Sequence, residues 1–205
     1  MSEPICLAWT GASGLPYGLR LLECLLAAGR DVQLLFSRAA QIVAQQEMDL
    51  VLPGQPEAAR TLLLQRFPGL PGKLAVYGRE EWFAPVASGS NPPAAMVICP
   101  CTMGTLAAIA QGMADKLIER AADVVLKERR PLILVPRETP LSVIHLENML
   151  RLARAGAVIL PPAPGFYHRP TTMQGLVDFV VARVLDQLRV PHDLMQKWGE
   201  ASEPV

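Results

Sequence analysis

The stretch ICLAWTGASGLP, residues 5–16, decides the fold of this 205-residue chain. Its first five residues are apolar and predict a buried strand. The glycine-rich turn at 11–14 follows, and Pro16 suits the start of a helix that carries a leucine stripe and stops near Gly29. A strand, a tight turn and a helix in this order form the repeating unit of a parallel α/β sheet.

The rest of the chain repeats this alternation. Further strands are predicted at 32–36, 96–99, 132–135 and 157–160, and helices at 38–47, 57–66, after an N-cap at Thr102, and at 117–129, 142–155 and 172–188. Strands that are apolar throughout predict a parallel sheet covered on both faces. We therefore expect a three-layer α/β fold of the Rossmann or flavodoxin-like type. One domain would span 1–190, and a tail at 191–205 would contribute to the site or to subunit contacts.

Composition excludes several classes of function. Hydrophobic residues make up 51% of the chain and mean hydropathy is +0.26, which is too apolar for disorder. Lys+Arg and Asp+Glu balance at 19 each, so no basic patch predicts a nucleic-acid partner. No apolar run is long enough for a membrane span, and the first residues lack the pattern of a secretion signal. We expect a cytoplasmic protein with a small ligand.

The four cysteines do not form a metal motif. Cys6 and Cys99 lie in predicted strands, where cysteine acts as a small hydrophobic residue. The pair Cys99 and Cys101 has no second pair and no nearby histidine, which argues against zinc. Reduced thiols are therefore expected for all four, including Cys24.

Small, polar and basic residues follow five of the predicted strands. They are Thr10–Gly14, Ser37, Thr102–Thr105, Arg137–Thr139 and Pro164–His168. Because the carboxyl ends of parallel strands meet at one edge of the sheet, we expect these residues to form one site. Backbone amides at a helix N-terminus attract phosphate, and hydroxyls, an arginine and a tyrosine suit a ligand with a phosphate and a ring.

A glycine-rich turn alone is weak evidence for a particular nucleotide. The turn lacks the G-x-G-x-x-G pattern, Ser37 stands where an acidic residue would hold an NAD ribose, and no Walker A sequence is present. FMN fits these absences better than NAD or ATP. The G-x-S sequence also resembles the nucleophile elbow of hydrolases, but Leu15 replaces the closing glycine.

Several candidate residues also have an ordinary structural explanation. Spacing predicts an Asp123–Lys127 pair on a helix surface, and Arg183 can pair with Asp186. By spacing alone, residues 120–130 are better explained as a solvated face than as a phosphate clamp. The remaining candidates are typical packing or helix-end residues: Trp82, Trp198 and Glu47.

A set of motifs in one order covers nearly the whole chain. The motifs are TGASG at 10–14, FSRAA at 36–40, Glu47, ASGS at 87–90, CPCTMGTL at 99–106, LIERAADVVLKERRPLILVPRETPL at 117–141, HLENML at 145–150 and GAVILPPAPGFYHRP at 156–170. Together they resemble the UbiX/Pad family of flavin prenyltransferases, and ERAADVVLKERRPL is the most specific of them.

The resemblance implies a function. Enzymes of this family join a dimethylallyl group from dimethylallyl phosphate to N5 and C6 of reduced FMN. They use no metal and assemble as dodecamers with sites between subunits. Their prenylated FMN serves partner decarboxylases of the UbiD type. The same reaction, cofactor and partners are expected for this chain.

The resemblance also implies roles for individual residues. The expected FMN contacts are Gly11, Ala12, Ser13, Ser37, Ser88, Thr102, Met103, Gly104, Thr105, Arg120 and Arg137. The prenyl phosphate would contact Lys127, Glu138, Tyr167 and Arg183, of which Lys127 and Glu138 also count as catalytic. Ser13 and Glu47 would handle protons, and Trp82 and Trp198 would surround the prenyl group. Two details depart from the family pattern: Thr102 stands where many members have serine, and Leu15-Pro16 follows the glycine turn.

Two other functions stay open at this level. FMN-dependent decarboxylases of the peptidyl-cysteine and phosphopantothenoylcysteine type have a related fold. They carry a PASANT-like stretch where this chain has 99–105. The second alternative is a flavin-binding or delivery subunit without catalysis. An older interpretation treats the family itself as decarboxylases, and sequence does not exclude it because it would involve the same residues.

Overall fold

The computed structural model describes residues 3–196 and confirms the predicted fold class. Its strands are β1 (Ile5–Trp9), β2 (Val32–Phe36), β3 (Leu74–Val76), β4 (Ala95–Cys101), β5 (Leu132–Pro136) and β6 (Val158–Ile159). They form one sheet in the order β3-β2-β1-β4-β5-β6, and every neighbouring pair is parallel. This is the strand order of a doubly wound Rossmann sheet, in which the order reverses between β1 and β4.

Helices cover both faces of the sheet. They are α1 (Leu15–Ala27), α2 (Arg38–Met48), α3 (Pro56–Arg66), α4 (Met103–Ala110), α5 (Leu117–Lys127), α6 (Val143–Arg154) and α7 (Met173–Leu188), with a 3₁₀ turn at Pro85–Ala87. Over residues 3–196, none of these helices combines the length and hydrophobicity that crossing a bilayer requires.

Two hydrophobic cores lie on opposite faces because successive strand residues point to opposite sides. Leu7 of β1 belongs to the core beneath α1, α3 and α7, whereas its neighbour Ala8 belongs to the core beneath α4, α5 and α6. Both side chains are fully buried. The apolar run of β1 thus reflects burial on two faces, as predicted.

Some element boundaries differ from the predictions. Strand β3 was not predicted, because its three residues are too few to show a pattern. Strand β4 continues to Cys101, and β6 is two residues long rather than four. Helix α5 ends at Lys127, two residues early, because Arg129 adopts a left-handed backbone with φ 54°.

One predicted surface pair is wrong and another is confirmed. Asp123 binds Nη1 of Arg120 at 2.6 Å, and Lys127 pairs with Glu128, so no Asp123–Lys127 pair forms. Arg120, three residues before Asp123, forms the ion pair with Asp123 in place of Lys127. Nη1 of Arg183 binds Asp186 at 2.6 Å, as the spacing predicts.

All four cysteines are free thiols. Burial raises the pKa of Cys6 and of Cys101 from 9.0 to about 12, and burial raises the pKa of Cys24 to about 11. Since a thiolate is the reactive form, these side chains pack as hydrophobic groups and do not act as nucleophiles at neutral pH.

Candidate active site

A buried hydroxyl joins the two strand ends at which the sheet reverses its order. The Thr10 hydroxyl donates to the carbonyl of Pro100 at 2.8 Å and accepts from the amide of Thr102 at 2.8 Å. Thr10 is 1% exposed, so both bonds form away from water. Thr10 opens the TGASG motif, but the sequence alone predicts no role for it. It fixes the turn after β1 against the turn after β4.

The glycines of the first turn are required by close packing. A Cβ at Gly11 would collide with the Cβ of Ala39, which lies in the first turn of α2. Gly14 caps α1 with φ 111°, a conformation that L side chains rarely adopt. The turn therefore brings the backbone at 11–14 to the start of two helices.

The carboxylate of Glu47 binds the N-terminus of α1. It accepts hydrogen bonds from the Gly14 amide at 3.1 and 3.0 Å and from the Leu15 amide at 3.0 Å. An anion at this position stabilises the helix, because the terminal amides carry partial positive charge. Glu47 is thus more than a polar residue at the end of α2, and it lies beside Ser13 at the predicted edge.

Two further helix N-termini face the same edge. Ser37 caps α2 by accepting from the Ala40 amide at 3.1 Å. Thr102 caps α4 by accepting from the Thr105 amide at 3.1 Å, as predicted. At Gly104 no atom of residues 3–196 outside its own helical turn lies within 4 Å of the place where a Cβ would stand, so this side of its backbone is open. The N-termini of α2 and α4 give this edge a positive potential, whereas the Glu47 carboxylate neutralises that of α1.

Arg137 links the end of β5 to the first turn. Its Nε donates to the carbonyl of Ser13 at 3.2 Å, and it forms no ion pair with a carboxylate of the described part of the chain. The neighbouring Glu138 is exposed, and its side chain accepts from the Thr139 amide at 3.2 Å. One cation and one carboxylate therefore stand beside the glycine turn.

A cavity of about 490 Å³ adjoins the starts of α2 and α4, and neither the glycine turn at 11–14 nor Arg137 lines it. Ser37 and Thr105 line it together with the loop after β3 and the start of α5. Apolar walls come from Leu35, Phe36, Tyr77, Leu117 and Ile118. Its volume lies within the roughly 300–1,000 Å³ of small-molecule sites, and its mix of apolar walls and hydroxyls suits a planar ring with a phosphate tail.

Within one chain, Lys127 lies apart from the candidate residues at the carboxyl edge of the sheet. Helix α5 starts at the cavity, and its eleven residues carry its end about 15 Å away. There Lys127 lines a second cavity together with Pro131 and Gly156, which precede β5 and β6. Lys127 therefore lies at the amino edge of the sheet, opposite the predicted edge.

Ser88 and Arg120 lie along α5, away from the glycine turn. The Ser88 hydroxyl is 2.8 Å from that of Ser90, and Arg120 Nε donates to the carbonyl of Ala87 at 3.0 Å. Neither Ser88 nor Arg120 lines the 490 Å³ cavity. The single chain thus separates these two expected FMN contacts from the others.

Tyr167 and Arg183 lie in a third part of the structure, apart from both the glycine turn and Lys127. Tyr167 follows β6 and its ring lies edge-on to Phe179 of α7, with centroids 5.8 Å apart. Arg183 follows Phe179 by one helical turn, so it lies on the same face of α7. The structure places these two expected phosphate contacts near one another but leaves Lys127 apart.

Of the two tryptophans expected around the prenyl group, the structure describes Trp82. Trp82 is 42% exposed beside the fully exposed Phe83, in the loop before the 3₁₀ turn. Trp198 lies outside the described residues. Within residues 3–196, no group of three or more His, Cys, Asp or Glu side chains could hold a metal ion.

Comparison with known proteins identifies similar chains. A family profile described as Flavoprotein matches residues 1–185. The flavin prenyltransferase UbiX of Pseudomonas aeruginosa is 58% identical over 198 residues, which is 97% of this chain and 95% of the relative. A crystal structure of AnUbiX in complex with FMN and dimethylallyl pyrophosphate is 39% identical, covers 98% of this chain and 100% of its own, and has a TM-score of 0.87.

An Escherichia coli O157:H7 structure, described as a dodecameric FMN-dependent UbiX-like decarboxylase, is 39% identical. It covers 95% of this chain and 98% of its own with a TM-score of 0.83. A PPC decarboxylase mutant, which represents the rival decarboxylase class, is only 15% identical, with a TM-score of 0.58 over 91% of this chain and 100% of its own. That likeness concerns the fold alone.

Proposed function

The chain belongs to the flavin prenyltransferase family of flavoproteins, and we propose that it transfers a dimethylallyl group from a dimethylallyl phosphate to N5 and C6 of reduced FMN. The observation that carries this proposal is the carboxyl edge of the sheet. There, the N-termini of α2 and α4 adjoin a cavity of about 490 Å³. Arg137, which forms no ion pair with a carboxylate of residues 3–196, lies beside the neighbouring glycine turn. This arrangement favours an anionic ligand with a planar ring.

In this proposal FMN binds along the turns at 11–13, Ser37 and 102–105. The open backbone at Gly104 and the hydroxyls of Ser37 and Thr105 offer donors to phosphate, since the Thr102 hydroxyl donates to that of Thr105 at 2.9 Å. Arg137 adds a charge that is not neutralised by a described carboxylate. The flavin, when bound, supplies the nucleophilic N5 and C6 atoms.

The departing phosphate requires cations because the allylic carbon–oxygen bond breaks with negative charge on oxygen. We assign this role to Lys127 and Arg183, with Tyr167, Glu138 and Arg120 beside them. Electrostatic stabilisation of this kind contributes about 3–4 kcal/mol per donor in a site without water. Faces of Trp82 and Trp198 would stabilise the allyl cation by about 2 kcal/mol.

Lys127 can reach such a site only from another copy of the chain. It lies at the amino edge, whereas Arg137 lies at the carboxyl edge. Helix α6 supports assembly, since Val143, Leu146 and Leu150 are 69%, 50% and 50% exposed along one side of it. Apolar exposure of this extent is typical of subunit contacts. We therefore propose sites shared between subunits, and the dodecameric relative of 39% identity leads us to propose a dodecamer.

Closure of the new ring requires proton transfer. Glu47 and Ser13 adjoin the first turn, and we assign them to this step. The prenylated FMN would pass to a UbiD-type decarboxylase. Four free thiols support a reducing compartment such as the cytoplasm.

The decisive experiment is anaerobic incubation with reduced FMN and either dimethylallyl monophosphate or diphosphate, followed by mass spectrometry of the bound flavin. We expect a flavin that has gained one five-carbon unit with at least one donor. Bound FMN that stays unmodified with both donors would contradict the proposal and favour a binding or delivery role.

A mixing experiment tests whether sites are shared. Lys127→Ala and Tyr167→Phe subunits, each inactive or nearly so, are co-expressed at equal amounts. If one site takes Lys127 from one copy and Tyr167 from another, about a quarter of the sites regain both residues and activity returns. If both residues come from one copy, every subunit stays defective and the mixture stays inactive.

A further inference from the structure

Three aromatic rings pack together, and one of them belongs to Tyr167, which we place at the leaving phosphate. The His168 ring stacks on Phe179 with centroids 5.2 Å apart and an interplanar angle of 13°. Tyr167 stands edge-on to both rings, 5.8 Å from Phe179 and 5.6 Å from His168. These are the stacked and edge-to-face geometries that aromatic rings prefer.

A glycine allows this approach. A Cβ at Gly165 would lie 3.0 Å from Phe179 and 3.0 Å from Tyr167, which is closer than ordinary contact. Any larger residue at Gly165 would push the two rings aside. The backbone of the loop after β6 thus passes directly against the ring pair.

Phe179 also connects the loop to α7. It is half-buried and packs against the core beneath α1 and α7, so its position is set by the helix rather than by the loop. Arg183 lies one turn further on the same face. A ring anchored on the helix therefore holds Tyr167 at a defined position relative to Arg183.

We propose that Phe179, braced by the stacked ring of His168, is a positioning residue that sets the Tyr167 hydroxyl for the prenyl phosphate. This inference rests on the proposed function. In this proposal Phe179 acts through Tyr167 rather than by its own contact with substrate. The loop at 161–172 has no helix or strand of its own, and the ring cluster is one of the contacts that hold it on α7, together with the Thr172 cap.

His168 contributes its ring face rather than its nitrogens. Both ring nitrogens are buried and have no hydrogen-bond partner within residues 3–196. A buried polar atom without a partner is destabilising, so the stacking must outweigh that cost. His168→Phe keeps a ring over Phe179 and removes the nitrogens. It should retain activity.

The test compares Phe179→Leu with Phe179→Tyr, which keeps the ring. For Phe179→Leu we expect KM for dimethylallyl phosphate to rise about 10-fold, in line with the loss of an aromatic pair, while KM for FMN changes less than about twofold. Phe179→Tyr should stay near wild type. A purely structural role would alter both KM values together.

A double-mutant cycle identifies the residue through which Phe179 acts. Because Tyr167→Phe is nearly inactive, the cycle is measured as the dissociation constant of dimethylallyl phosphate for the FMN-bound protein. In a Tyr167→Phe background the hydroxyl is absent, so Phe179→Leu should weaken this binding no further. Full additivity, or an unaffected KM in Phe179→Leu, would overturn the positioning role. Wild-type protein that forms no prenylated flavin would instead overturn the proposed function, so the two failures are distinguishable.

Discussion

Glu47→Gln separates a structural role of the Glu47 carboxylate from a chemical one. In the structure both carboxylate oxygens accept from backbone amides, at 3.0–3.1 Å from Gly14 and at 3.0 Å from Leu15. The glutamine keeps one acceptor oxygen and nearly the same size, but it cannot exchange a proton. Glu47→Ala removes the acceptor as well.

The Glu47 carboxylate contributes little to the free energy of unfolding. Glu47 is exposed, so water can replace part of its hydrogen bonding. A negative charge at an exposed helix N-terminus stabilises by about 0.3–1 kcal/mol, and loss of a cap costs about 1 kcal/mol. We expect Glu47→Ala to lower the free energy of unfolding by about 1–2 kcal/mol, and Glu47→Gln by about half of that.

The chemical contribution, if present, is larger. General acid–base groups contribute about 10²–10⁴-fold, which corresponds to about 3–5 kcal/mol of activation free energy. Formation of the N5–prenyl bond depends on cation and phosphate stabilisation and should survive. Glu47→Gln should therefore stall the reaction at a flavin that is attached to the prenyl group only through N5.

Anaerobic absorbance measurements and crystals soaked with substrate distinguish the singly attached flavin from the four-ring product. Glu57→Gln is a matched control, because Glu57 likewise places a carboxylate at a helix N-terminus, in the first turn of α3, and it binds Arg60 at 2.7 Å rather than the glycine turn. Glu57→Gln should be slightly less stable and should still catalyse both N5–prenyl bond formation and ring closure. Four-ring product at nearly the wild-type rate in Glu47→Gln would refute a chemical role. Equal slowing of both steps would show that the carboxylate only holds the turn.

The other predictions concern the phosphate, the assembly and pH. Lys127→Ala should block the first step and leave FMN and prenyl phosphate unreacted, visible in soaked crystals; turnover by this variant would remove Lys127 from the mechanism. Turnover should survive EDTA, because side-chain cations neutralise the phosphate, whereas loss with EDTA and recovery with Mg²⁺ would contradict this. Leu150→Glu should reduce the oligomer size by light scattering, while Gln65→Glu, a control on the exposed side of α3, should not; an unchanged oligomer in Leu150→Glu would exclude α6 from the interface. Stability should fall as pH rises from about 9 toward 12, because thiols of the unfolded chain lose protons there while the buried thiols stay protonated. In urea denaturation Cys6→Ala should flatten this slope by up to about 1.4 kcal/mol per pH unit, and an unchanged slope would exclude Cys6 as its source.

The sequence by itself determined most of the parallel sheet and the edge at which we propose that a ligand binds. Strands β1, β2, β4 and β5 are buried on both faces, so apart from Gln33 of β2 their residues are apolar and the strands can be recognised from their own sequence. Ser37 and Thr102 follow strands in sequence, and parallel strands bring such residues to one edge. Strand β3 escaped prediction because three residues show no period.

Only the tertiary structure decided which side chains meet. Glu47 binds amides 33 positions earlier, and Thr10 bridges to Thr102 across 92 positions. Neither contact has a local pattern, because each depends on how two helices or two strands are placed. The same holds for the ring of Phe179 against Tyr167. It also holds for Lys127, which the direction of α5 carries to the edge opposite the glycine turn, whereas the family resemblance placed it with the other phosphate contacts.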